Sequence, residues 1–177
     1  MHASDSGPGR PEADECLPYY FQYIGLVPDG HIVKRLERQI GESAEYLAGF
    51  TPEQARWREA VGEWNTVEIV GHMADTERVF GYRALRVARA DPTMWTAVEF
   101  GDYAANANYQ ARPLGEVVGE YVAVRAAFVA FLRGLDAAAW EGRAPADWTL
   151  RSVRAVAYAM AGHELHHLAS IRRQHGA

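Results

Sequence analysis

From Asp29 onward, apolar residues recur at spacings of three and four. Ile32, Val33, Leu36, Ile40, Ala44 and Leu47 share one face of a helix that Asp29 can cap. Thr51, Pro52 and Gln54 then combine a capping hydroxyl, a first-turn proline and a glutamine three residues after the cap, which predicts a short helix. Asn65 and Glu68 stand at the same capping-box spacing. They precede a long stripe of Ile69, Met73, Phe80, Ala84 and Val87. That helix stops before Asp91-Pro92, because proline disfavours helical geometry in the residue ahead of it. Residues 91–112 read as a connection with a helical turn near Val98–Asn108. After Pro113 a third stripe runs through Leu114, Val117, Val118, Tyr121, Val124, Phe128, Phe131 and Leu135. "APADWT" interrupts it, and Thr149 can cap a last helix reaching about Arg173.

Strand patterns and fixed-period repeats are missing from the sequence, so the expected fold is all-α. Four long amphipathic helices predict a four-helix bundle with a long connection between the second and third helices. That connection of roughly 22 residues exceeds what bundles need, which marks it as a candidate lid or mouth. Ahead of the helices, residues 1–14 ("MHASDSGPGRPEAD") offer little to bury and are expected to form a flexible leader. Residues 15–177 form the expected bundle domain. Its opening "CLPYYFQYIGLV" brings four aromatics together, as an apron over the bundle or a surface that grips a substrate.

Composition narrows the partners. The 177 residues are 49 % hydrophobic and 23 % charged, suited to one globular domain with a real core. A net charge of -5 argues against nucleic acid. No apolar run approaches the ~20 residues of a bilayer span, and no secretory pattern opens the chain. Cys16 is the lone cysteine and has no internal partner, so the expected location is the cytoplasm. Set beside apolar residues, it reads as a bland thiol rather than a ligand or nucleophile.

Histidines change the picture. His163 and His167 lie one turn apart on the stripe of Val156, Met160 and Ile171, so two imidazoles face the core. Buried imidazoles need hydrogen bonds or a cation, and neutral imidazole is a good ligand for zinc, nickel and copper. His72, at the edge of the second helix's buried face, supplies a third nitrogen. The alternative is a set of hydrogen-bonded core histidines. His166 points off this face as a surface or helix-contact residue. His2, His31 and His175 have no partners nearby in sequence.

"HELHH" at 163–167 also spells H-E-x-x-H, the zinc-peptidase signature. No acidic residue follows it in "LASIRRQHGA", and Arg173 stands where an extended motif has its last histidine, so that reading fails. A di-iron carboxylate site also fails, because a second E-x-x-H is missing. A mononuclear site with an open position remains, and open positions are where metal chemistry occurs. Asp75 and Glu164 are candidate catalytic groups or carboxylates that orient the imidazoles, against the plainer reading of solvated helix charges. Glu77 and Arg78 read as a surface or inter-helix pair. Asp102 or Tyr103 from the long connection could close the site and make it purely structural.

With these residues in place, the chain resembles the DinB/YfiT-like family over roughly Tyr19 to Arg173. The segments that carry the likeness are "YYFQYIGLVPDG", "EWNTVEIVGHMADTERVFGYRALRVARAD" and "AGHELHHLASIRRQ". The resemblance implies a bundle whose metal ligands are one histidine on the second helix and an H-x-x-x-H pair on the last: His72, His163 and His167. It also implies one divalent metal ion per chain, zinc or nickel, and a homodimer. Biochemically defined relatives are thiol S-transferases using bacillithiol, mycothiol or glutathione, and a mycothiol-dependent maleylpyruvate isomerase. The expected function is therefore a metal-dependent enzyme acting on a small molecule, most of all a thiol-dependent S-transferase. Alternatives are a non-catalytic, metal-stabilised binding module and a metal-dependent hydrolase.

Overall fold

A computed structural model describes residues 7–93, 98–145 and 147–176, and every regular element among them is helical. In chain order the α-helices are α1 (Phe21–Ile24), α2 (Ile32–Ala48), α3 (Pro52–Arg56), α4 (Thr66–Ala88), α5 (Phe100–Asn106), α6 (Leu114–Arg133), α7 (Ala137–Glu141) and α8 (Val153–Gln174). The long helices α2, α4, α6 and α8 form the bundle.

The two capping boxes form as the sequence predicts. Thr51 accepts from the Gln54 amide and Asn65 from the Glu68 amide, with each N3 side chain answering to the cap. Two caps differ from expectation. Asp29 pairs with Arg10, and His31 occupies the cap position of α2 without a side-chain bond. Thr149 lies in a strand-like contact, its carbonyl accepting from the Leu17 amide, so Ser152 caps α8 instead. Glu15 fixes this corner: its buried carboxylate accepts from Ser152 and pairs with Arg143 and Arg154.

Helix α2 packs on α6 and α8, and α4 packs on the same two partners. One apolar cluster joins Ile32–Leu36 of α2, Phe80–Val87 of α4, Phe128–Leu132 of α6 and the first half of α8. The second joins Leu47, Val67–Ala74, Val117, Tyr121, Leu168 and Ile171. These pairings mean that α4 and α6 run parallel, antiparallel to α2 and α8. Parallel neighbours explain the long connection: residues 89–113 must return the chain along α6's length, about 30 Å. The helical turn expected within that return is α5, packed on α4.

Between the two apolar clusters lies a polar layer that the stripe pattern hides. Gln39 and Ser43 of α2 are buried where Ile40 and Ala44 were expected to lead. Arg125 occupies the buried face of α6 at 1 % exposure. It forms ion pairs with Glu77 of α4 and Glu164 of α8, donates to Gln39, and sits against the Tyr121 ring. Ser43 donates to Glu164, and Gln39 donates to the Ala161 carbonyl. Glu77 is therefore an interior group. Arg78 instead pairs on the outside with Asp75 and Glu120.

The candidate metal centre

His72 sits in the second turn of α4, and His163 and His167 face it from α8. Their Nε2 atoms converge: His163 is 3.3 Å from His72 and 3.0 Å from His167. One ligating atom from each of the three lies within 4.8 Å of the others. Around a tetrahedral cation bound at ~2.05 Å, neighbouring nitrogens lie about 3.3 Å apart. The protein alone offers these nitrogens histidine–histidine hydrogen bonds and one long contact from the Thr76 hydroxyl, whereas one cation satisfies every converging lone pair. The donor set therefore fits a divalent metal.

Electrostatics agree. Burial, partly offset by Asp75, pulls the His72 pKa down to about 4. Burial, then His72 and His166, lowers His167 to about 3. His163 is also held far below the usual imidazole value by burial and its two partner rings. All three are neutral at pH 7, the form that ligates metal.

A glycine precedes two of the histidines, and each has a physical reason. A Cβ on Gly162 would lie 1.9 Å from the Tyr23 carbonyl oxygen, so only glycine lets α1 lie against α8 there. A Cβ on Gly71 would meet the Tyr109 ring at 2.4 Å. The close approach of α1 sets the Tyr23 ring edge-on to His163 and His166, at 5.4 and 5.3 Å between centroids. Trp64 lies 4.8 Å from the His72 ring and Phe100 5.7 Å from it. Thr76, one turn after His72, places its hydroxyl 3.4 Å from Nε2. Sequence reasoning missed Trp64, Phe100 and Thr76 as wall residues. The Gly-His pairs and the aromatic apron were the available signals.

Asp75 accepts from the Tyr109 hydroxyl at 2.6 Å and pairs with Arg78, so its bonds go to residues around the site. Glu164 is fully buried and engaged by Arg125 and Ser43. Side chains of His166, His167, Trp64, Glu63 and Ser170 border a cavity of 210 Å³ beside His167. Asp102 and Tyr103 are exposed on α5 and stand outside the histidine cluster. His175 packs against Phe50 and Trp57 and meets the Thr66 hydroxyl where α4 begins. Cys16 is buried in the apolar core.

The fold and site thus define an all-α bundle that gathers three neutral imidazoles from two antiparallel helices. The DinB superfamily model matches residues 35–171, most of the chain, and the protein belongs to that family. Its fold is similar to that of YfiT from Bacillus subtilis, described as a probable metal-dependent hydrolase with an unusual four-helix bundle topology. The TM-score is 0.64 at 14 % identity, over 98 % of this chain and 99 % of that one. No curated protein matches the sequence.

Proposed function

We propose that the protein is a metal-dependent enzyme acting on a small molecule, with His72, His163 and His167 holding one divalent ion, zinc or nickel. The observation that carries this reading is the convergence of three Nε2 atoms from two helices in the buried interior. When bound, such an ion lowers the pKa of a thiol or water at its open position. The thiol reading comes first: a low-molecular-weight thiol gives up its proton to solvent and, as thiolate, displaces a leaving group from an electrophilic carbon, the leaving group departing with the bonding pair as the C–S bond forms, which makes the protein an S-transferase. Because Cys16 is buried away from the site, the thiol comes from a co-substrate.

Tyr23, Trp64 and Phe100 wall the site with rings that exclude water and seat apolar parts of a substrate. Asp75 orients Tyr109 and its charge acts on His72, while Glu164 locks the α8 turn that carries His163 and His167. Hydrolysis is the second reading, favoured by the likeness to YfiT. In it Glu164 does not serve as the H-E-x-x-H general base, because Arg125 and Ser43 hold its carboxylate. A homodimer in the cytoplasm completes the reading.

The test compares metal-loaded with metal-stripped protein. A panel of bacillithiol, mycothiol, glutathione and cysteine is assayed against monochlorobimane, in parallel with ester and amide substrates. Metal-dependent turnover with a thiol supports the transferase; turnover of esters or amides without thiol selects the hydrolase. No turnover with any pair, together with a large fall in melting temperature on chelation, sinks both and leaves a metal-stabilised binding module.

A further inference from the structure

On the other side of Phe100 from His72 lies a second cavity, of 370 Å³. Tyr20, Phe80, Phe100, Trp148 and Leu150 give it aromatic and aliphatic walls, and Arg83 lines it with Asp147 and Thr149. Phe100 belongs to both sites. It lies edge-on to His72 and stacks on Phe80 at 6.0 Å. The Arg83 guanidinium lies over the Phe80 ring at 4.6 Å and donates to the Thr149 hydroxyl at 3.3 Å. Arg83 is only 6 % exposed.

Helical geometry aligns this arginine with the metal centre. Arg83 follows His72 by eleven residues, roughly three turns and ~20°. His72 and Arg83 therefore share a face of α4, about 16 Å apart along its axis. Phe80 and Phe100 fill the interval as a continuous aromatic path.

We infer that this cavity binds the carboxylate end of an elongated apolar substrate, with the carboxylate on Arg83 and the body running over Phe80 and Phe100 toward the histidines. A guanidinium fork matches a carboxylate with two parallel N–H···O bonds, and apolar walls strengthen the attraction. Burial lowers the pKa of Arg83 from its ordinary value, and an arriving anion offsets that desolvation. The direction of the substrate body rests on the proposed metal centre; the carboxylate subsite does not need the metal.

Calorimetric titration of the full chain with phenylbutyrate and with its neutral amide tests this subsite, on both metal-loaded and metal-stripped protein. The acid is expected to bind at least about tenfold tighter, as a charge-assisted pair implies. Arg83→Met should remove that preference and Arg83→Lys retain part of it. Should Arg83→Met fail to fold, the acid–amide contrast on the unaltered protein decides. Equal binding of acid and amide, or no saturable binding of either, overturns the inference. So does a preference that survives Arg83→Met but vanishes on metal removal, since the carboxylate would then sit on the cation. An acid preference with no metal-dependent turnover overturns the enzyme reading and leaves this subsite standing.

Discussion

Two polar clusters occupy the same interior layer and solve burial in opposite ways. Around Arg125 opposite charges meet: Glu77 and Glu164 flank the guanidinium, and Gln39 and Ser43 take up further bonds. Around His163 three ring nitrogens of one kind face one another, with aromatic rings behind them. A closed cluster explains itself by the fold it stabilises. An arrangement of like rings whose converging nitrogens have little but one another to bond calls for a cation. Burial alone does not mark a functional site; burial with an unmet chemical demand does.

Breaking each cluster should give a different result. Replacing His72, His163 or His167 by Ala should reduce bound metal from about one ion per chain toward none, measured by elemental analysis. His166→Ala should keep it, since its contacts are with Tyr23 and the His167 ring. Equal loss for His166 would remove the distinction between ligand and wall. Arg125→Met should leave metal content intact where the protein folds, but cost about 3–5 kcal/mol in denaturant unfolding, because two buried carboxylates lose their partner. A loss below about 1 kcal/mol would show that the charged cluster is not what holds the layer.

Gly162→Ala comes next, at about 1–3 kcal/mol, because its Cβ would displace the Tyr23 backbone. A shift of the His163 ring resonances without loss of helix content would show that α1 forms the wall of the site. The smallest effect is on acidity. In the metal-free protein the unfolded imidazoles take up protons near 6.5, while folded His72 does so only at about 4. Below 6.5 the unfolded state binds more protons, so stability falls with falling pH and is flat above neutrality. From pH 7 to 6 the loss is about 0.7 kcal/mol per histidine. Stability that rises on acidification would contradict the neutral, buried cluster.

Much of this was legible in the sequence, for reasons of range. Capping boxes at Thr51 and Asn65 are local, and the stripe of Ile69, Met73, Phe80, Ala84 and Val87 is fully buried as the period requires. An i, i+4 histidine pair on an apolar face was readable because the two rings share one helix. Arg125 was not: its partners Glu77 and Gln39 lie 48 and 86 residues away, and a charged residue in a stripe resembles a boundary position. Thr149 and Ser152 are both good cap residues, and only the tertiary contact with Leu17 selects between them. The length of the 91–112 connection was visible, but its cause, parallel α4 and α6, belongs to packing.

The separation of His72 and His163 along the chain, 91 residues, has a consequence for assembly. A cation bound between α4 and α8 would be a cross-link as well as the centre proposed above. Held only by the folded chain, it would stabilise the bundle by its own binding free energy, a contribution that chelation removes. During synthesis such a clasp could shut only after α8 has emerged, so metal capture would seal the bundle rather than seed it.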